Sequence, residues 1–289
     1  MRIAALLGVM DEVELIRGSI DHLRSIGVDL IIAADAGSTD GTCQILDALR
    51  GDDDVHVIHV GPSPEERRAR QLELARRANA DWIMCLDADE FWLPATGSLK
   101  DCPSLLEADV IAVDRFNVPP ARRGPFDRGE LTPSNYQDVF LCVHKIPAFM
   151  TVMERYPHVP WLLGADILPK VLARMTGIGS IGPGGHSIEP AEGPLRHTTP
   201  PDVLIAHVPI STYERFERKV INIVELMRTH PDYFTGNKAV HWQRWAALFR
   251  EGRLRDEFER QMLDEDRLAE LIDSGAIATA TSLFAQRRV

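Results

Sequence analysis

Four short apolar runs, Arg2–Val9, Asp29–Ala34, Val55–Val60 and Asp81–Leu86, recur at the start of the chain, with helical patterns over Glu12–Ile26, Thr42–Leu49 and Pro64–Ala78 between them. Runs this short and this continuously apolar read as strands covered on both faces. Strand and helix in strict alternation give a parallel sheet with helices on both sides, because each helix must carry the chain back across the sheet before the next strand begins. A further run at Val110–Val113 continues the pattern. The expected fold is therefore α/β, a Rossmann-like, mostly parallel central sheet flanked by helices. In such sheets ligands gather at the carboxyl ends of the strands, so chemistry is sought in the residues that follow each run.

The fourth run ends abruptly in acid, Trp-Ile-Met-Cys-Leu-Asp87-Ala-Asp89-Glu90-Phe91. Alternation along an extended chain points Asp87 and Asp89 to one side. Two carboxylates so placed repel unless a cation lies between them, and hard ions such as Mg²⁺ or Mn²⁺ favour oxygen ligands. An acidic surface turn explains Asp-x-Asp alone equally well. The second run leads into Asp35-Ala-Gly-Ser-Thr-Asp-Gly-Thr42, where Gly37 and Gly41 permit tight turns and Ser38, Thr39 or Asp40 can cap the next helix. Asp35 is left at a strand end, able to accept a hydrogen bond from a base N–H or a ribose hydroxyl. Asp35 together with Asp87-x-Asp89-Glu90 makes two plain turns the weaker reading.

Composition limits the partners. The 289 residues carry a net charge of −11, which argues against a nucleic-acid polymer and requires local cations for any small anionic ligand. Cys43, Cys85, Cys102 and Cys142 are scattered without a C-x-x-C pair, so neither a disulfide framework nor a zinc knuckle is indicated and a cytoplasmic location is expected. Ile3–Val9 is followed at once by Asp11, Glu12 and Glu14, too short a run for a signal peptide or a membrane span.

From Asn117 to about Pro209 the pattern is irregular and rich in Pro, Gly, Arg and His, with a loop expected at Pro119–Pro133. Beyond Pro209 the chain turns helical, with Ser211 or Thr212 as N-cap before Glu214–Arg228, then Ala239–Arg250 and Asp256–Ser274. Gly177-Ile-Gly-Ser-Ile-Gly182 formally matches a dinucleotide fingerprint, but Pro183 follows and no helix can open there, so a loop is expected. His197, His230 and His241 lack ligand-like spacing, and Trp242 with Trp245 reads as core packing rather than a sugar platform.

Met10-Asp11-Glu12 after the first strand, Asp35 to Thr42 after the second, and Asp87-Ala-Asp89-Glu90-Phe91 together resemble the GT-A nucleotide-sugar glycosyltransferases, specifically family 2-like enzymes. The resemblance covers about the first 95 residues. Weaker matches are Lys170 in Leu-Pro-Lys-Val-Leu, His186 in Gly-Gly-His, and His207 followed by Ser211-Thr-Tyr-Glu-Arg-Phe-Glu-Arg-Lys219.

The resemblance implies a metal-dependent glycosyltransferase that moves a sugar from a nucleoside diphosphate sugar, UDP first among them, to a hydroxyl acceptor that is a small molecule or lipid-linked. It implies Mn²⁺ or Mg²⁺ held by Asp87, Asp89 and a histidine, His207 or alternatively His186. Leu7, Gly8, Val9, Met10, Glu12, Asp35, Asp87 and Ala88 would hold the nucleotide sugar, Lys170 would meet the diphosphate, and of Arg67, Arg68 and Arg70 the last is the expected contact. For inversion a carboxylate base is required, with Asp166 first and Asp138 and Glu154 as alternatives. Residues 1–115 would form the nucleotide-sugar half of the domain, 116–210 the acceptor half, and 211–289 a C-terminal helical extension. A nucleotidyltransferase would carry a Gly-rich basic loop after strand one, which Gly8-Val-Met-Asp-Glu lacks, and an Asp-x-Asp phosphatase would not place Phe91 two residues on. A binding module without turnover would have a broken Asp-x-Asp, and here both carboxylates are present.

Overall fold

A computed structural model describes residues 1–61, 63–120, 138–146, 149, 155, 159–234 and 240–287. Strands β1 (Ile3–Val9), β2 (Leu30–Asp35), β3 (Val55–His59) and β4 (Trp82–Asp87) lie parallel, connected through helices α1 (Ile16–Ser25), α2 (Thr42–Ala48) and α3 (Pro64–Arg77). All seven residues of β1 are buried. Its odd positions Ile3, Ala5 and Leu7 pack with Ile16, Ile20 and Leu23 of α1, while Ala4 and Leu6 pack with Leu72 and Ala75 of α3. Period-two alternation thus sends one strand into two cores, and this is why the run had to be apolar throughout. The α/β class expected from the sequence is the one observed.

The remaining strands are β5 (Glu90–Pro94), β6 (Val110–Val113), β7 (Arg115–Asn117), β8 (Phe140–Cys142), β9 (Lys170–Arg174), β10 (Ile178–Ile181), β11 (Ile188–Pro190), β12 (His197–Thr198), β13 (Val203–His207) and β14 (Ile277–Thr279). Among the described residues the main sheet has the order β12-β6-β9-β4-β1-β2-β3, and β9 runs antiparallel to both β4 and β6. The stretch from Asn117 to Pro209 is therefore more than irregular chain, because it inserts β9 into the centre of the sheet. An antiparallel strand enters at the edge where its parallel neighbours leave, so Lys170, the first residue of β9, starts beside the end of β4.

A second sheet, β5-β13-β7, stands against this edge. Its register pairs His207 with Glu90 on one side and with Asn117 on the other. Gly177–Gly182 is not a loop: Ile178–Ile181 is one arm of the β10-β11 hairpin, and its backbone bonds to Ile188–Pro190 in place of opening a helix.

Helices α4 (Tyr213–Thr229), α5 (Val240–Arg250), α6 (Leu254–Gln261) and α7 (Glu265–Asp273) follow. Thr212 is the N-cap of α4, its hydroxyl accepting from the Arg215 backbone N–H at 3.2 Å. The single helix expected over Asp256–Ser274 is broken after Gln261, because Asp264 caps a new helix by accepting from Arg267 N–H at 2.8 Å. The first helix starts at Ile16, later than Glu12, and Asp11 ahead of it takes a left-handed φ of 53°. Most of the Pro119–Pro133 loop, and Glu154, lie outside the described residues. No helix among the described residues is long and apolar enough to cross a membrane.

Candidate active site

The turns after β1 and β2 are stitched together by side chains that the strand ends deliver. Asp11 Oδ1 accepts from Thr39 N–H at 2.7 Å, Glu12 N–H donates to Thr42 Oγ1 at 2.8 Å, and Val13 N–H donates to Asp40 Oδ2 at 3.0 Å. Beneath them, Arg68 donates to the carbonyl of Leu6 at 2.5 Å, and Gln71 donates to the carbonyls of Leu7 and Ile32 at 2.9 and 2.7 Å. These bonds fix the carboxyl edge of the sheet as the floor of a cleft.

The cleft is lined by Gly8, Val9, Met10 and Glu12 from the first strand end, Asp87 and Asp89 from the fourth, and His207. Arg67 of α3, Lys219, Asn222 and Ile223 of α4, and Trp242 of α5 complete it. Gly8 is required by close approach: a Cβ there would lie 2.9 Å from Asp87 Oδ1 and 3.6 Å from the Arg67 guanidinium carbon. Trp245 is core, as its spacing suggested, but Trp242 is only partly buried and forms a wall of the cleft.

Asp87 and Asp89 have separate partners. Lys170 Nζ reaches Asp87 Oδ2 at 2.7 Å, the Gly184 carbonyl at 2.7 Å and Glu90 Oε2 at 3.3 Å, and Arg68 stands 3.7 Å from Asp87 Oδ1. Glu90, fully buried, also receives Arg115 and accepts from Asp87 N–H at 2.9 Å. Asp89 Oδ2 is bound by Lys219, by Arg215 at 3.2 Å, and faces His207 Nε2 at 3.7 Å. Arg215 forks onto Glu12 at 2.6 and 3.1 Å and donates to the Val208 carbonyl at 2.9 Å. Residues 215, 219 and 222 fall on one face of α4, and Asn222 Nδ2 donates to Asp11 Oδ2 at 2.7 Å.

Burial works to raise the Asp87 carboxyl, but Lys170 and Arg68 outweigh it and hold the pKa well below the usual carboxylate range. At Asp89 burial is likewise outweighed, by Lys219, His207 and Arg215. Burial lowers the His207 pKa well below the ordinary imidazole value against the pull of Asp89, which favours the neutral ring. Its tautomer follows from the network. Asn117 Nδ2 donates to the Leu162 carbonyl at 3.2 Å, which leaves Asn117 Oδ1 to accept from His207 Nδ1–H at 2.8 Å. The lone pair of Nε2 is thereby turned toward Asp89.

The remaining sequence candidates are placed as follows. Leu7 and Ala88 are buried and neither lines the cleft. His186 bonds the Pro169 carbonyl at 2.7 Å behind Lys170, its pKa lowered to about 4 by burial and by Lys170, and does not line the cleft. Arg70 is exposed and points away, and the arginine over the cleft is Arg67. Arg67 has no ion pair among the described residues, its Nε lacks a partner, and burial together with Arg68 depresses its pKa. The periodicity of α3 held this signal: Leu72 and Ala75 mark the inner face, position 67 flanks it, and position 70 lies opposite. Asp166 is not brought to the cleft. It follows the turn Trp161–Gly164 on an exposed stretch and pairs with Lys145 at 2.8 Å. Asp138 is exposed and also outside the lining residues. Asp35 is buried at the end of β2, but Ser38, Cys43 and His59 surround its carboxylate, and it too is outside the lining.

Residues 9–130 match the family described as Glycosyl transferase family 2. Among solved structures the chain is similar to S. aureus TarS 1-349, at 14% identity and a TM-score of 0.40 over 78% of this chain and 66% of that one. The same fragment in complex with UDP-GlcNAc matches at 14% identity and a TM-score of 0.39 over 78% and 67%. S. aureus TarS in a longer form matches at 13% identity and 0.36, over 78% of this chain and 40% of that one. The chain thus spans about two thirds of the TarS fragment. No curated protein matches it in sequence.

Proposed function

We propose that this chain, a member of Glycosyl transferase family 2 through its residues 9–130, moves a glycosyl group from a nucleoside diphosphate sugar to a hydroxyl acceptor in the cleft around Asp87, Asp89 and Lys219. Charge carries the reading. In a chain of net charge −11, the cations Arg67, Arg68, Arg115, Lys170, Arg215 and Lys219 gather about the carboxylates Asp11, Glu12, Asp87, Asp89 and Glu90, an excess of one positive charge at one strand edge. A diphosphate leaving group is the anion such an excess suits. At an effective dielectric near 20, each close pair of opposite charges is worth ~4 kcal/mol, and the stabilisation grows as charge develops on the departing oxygen.

Arg67 and Lys219 face the cleft and would bind the diphosphate. Lys170, buried behind Asp87, would fix that carboxylate and not meet the ligand as a mobile charge. The backbone of Gly8, Val9 and Met10 would border the nucleotide, with UDP first by family resemblance, and the Trp242 face offers an apolar wall for a sugar ring.

The donor set also fits Mn²⁺ or Mg²⁺. Asp89 with the bare Nε2 of His207 gives one carboxylate and one imidazole 3.7 Å apart, and magnesium-type sites are completed by substrate phosphates rather than by a full protein cage. Asn117 supplies the outer hydrogen bond that orients such a histidine. Bound there, the ion would neutralise diphosphate charge. Isothermal titration with UDP, GDP, CDP and dTDP, each with Mn²⁺ and again with EDTA, tests the reading. Metal-enhanced binding of one diphosphate is expected, and no binding of any would overturn it.

A further inference from the structure

Away from the cleft, the ends of β2 and β3 bring a second group of metal-ligating side chains together. The parallel register sets Asp35 directly beside His59, and Cys43, in the first turn of α2, is carried back over both by the 36–41 turn. Asp35 Oδ2 lies 3.3 Å from His59 Nδ1 and 3.7 Å from Cys43 Sγ, and Cys43 Sγ lies 3.7 Å from His59 Nδ1. We propose that Asp35, Cys43 and His59 form a three-ligand site for a thiophilic divalent ion of the zinc class, with its fourth position open to solvent.

The argument begins with edge lengths. Tetrahedral zinc, at about 2.3 Å from sulfur and about 2.0 Å from nitrogen and oxygen, requires ligand separations of about 3.3 Å for N to O and about 3.5 Å from sulfur to either. The observed triangle has its short edge between nitrogen and oxygen and its two longer edges at sulfur. One thiolate, one imidazole and one carboxylate also form a donor set of intermediate softness, unlike the oxygen-rich Asp87 and Asp89 pair. Among the described residues this is the group of three or more such side chains whose ligand atoms converge.

The surroundings orient each ligand. Ser38 donates to Asp35 Oδ1 from its hydroxyl at 2.5 Å, and its backbone N–H is shared between Oδ1 at 3.2 Å and Oδ2 at 3.4 Å, with Oδ2 the oxygen nearest Cys43 and His59. Asp47 Oδ1 stands 3.5 Å from His59 Nε2, so the imidazole proton can reside on Nε2 and present the Nδ1 lone pair inward. A carboxylate behind the second nitrogen is the usual outer partner of a zinc-bound histidine. Access is one-sided: the Asp35 side chain is 2% exposed and that of His59 43%. Binding releases the Cys43 thiol proton to solvent as the sulfur–metal bond forms. The competing account is a hydrogen-bonded trio of the same atoms, which takes up no metal.

The test is a titration of the reduced, chelator-stripped full chain with Co²⁺, followed by displacement with Zn²⁺. The proposal expects a thiolate-to-cobalt charge-transfer band that saturates at one equivalent, is bleached by Zn²⁺, persists in Asp89→Asn and is absent in Cys43→Ser. His59→Ala alters only an exposed side chain and should weaken Co²⁺ binding by about tenfold or more, and Asp47→Asn by about tenfold. Absence of the band in the wild type, its survival in Cys43→Ser, or unchanged affinity in His59→Ala would each overturn the proposal.

Discussion

Lys219 sets its ammonium on the Asp89 carboxylate, on the same oxygen that faces the bare Nε2 of His207. A divalent ion shared by Asp89 and His207 must therefore compete with Lys219 for that oxygen. Lys219→Met is expected to raise Mn²⁺ affinity in the absence of nucleotide by about tenfold, since one close charge repulsion is removed. The same variant should bind nucleoside diphosphate in EDTA about tenfold more weakly. Calorimetry of both ligands checks this, and a change of the two affinities in the same direction would refute the competition.

Arg215 differs from Lys219 in having no exposed surface and four anionic or carbonyl partners, Glu12, Asp89, Val208 and Pro209. Truncation leaves Glu12 and Asp89 short of a partner in a buried setting, a loss of about 3–5 kcal/mol for pairs of this kind. Arg215→Met should show this loss in urea unfolding with an unchanged slope. A loss below about 1 kcal/mol would mean that Lys219 alone compensates both carboxylates.

Arg67 and Arg70 make a matched comparison on one helix. Arg67→Ala is expected to weaken nucleoside diphosphate binding by about tenfold, or about 1.4 kcal/mol, while Arg70→Ala leaves it unchanged. Titration of both variants with the diphosphate that the wild type prefers decides between them. Equal effects would point to long-range charge rather than contact.

What could be read in the chain beforehand divides along physical lines. β1, β2 and β4 were legible because burial on both faces demands unbroken apolar runs, and Asp87 and Asp89 stood out because an apolar strand ended in acid. β9 was not legible: Lys-Val-Leu-Ala-Arg is five residues with charged ends, and its antiparallel place between β4 and β6 depends on pairing across more than eighty residues of sequence from β4. The approach of His207 to Asp89 depends likewise on the β5-β13 register, which no local pattern encodes. Arg67 stands among the three arginines that the sequence offers at the start of α3, and the helix face that separates it from Arg70 is marked in the same residues by Leu72 and Ala75.

His241 offers a test by pH. It is stacked at 4.7 Å on Trp161 and ringed by Trp242 and Trp245, its Nδ1 has no partner among the described residues, and burial lowers its pKa to about 3. The unfolded chain binds this proton near pH 6.5 and the folded chain only near 3, so between these values the unfolded state holds more protons. Stability then rises with pH across that window, and the contribution lost on acidification begins to fall away below 6.5. The slope from one such group approaches about 1.4 kcal/mol per pH unit. His241→Phe keeps the ring packing and removes the proton site, so the difference in unfolding free energy between variant and wild type should widen steadily from pH 6.5 to pH 4. Parallel curves in urea unfolding at several pH values would show that His241 is protonated in the folded protein or solvated within it.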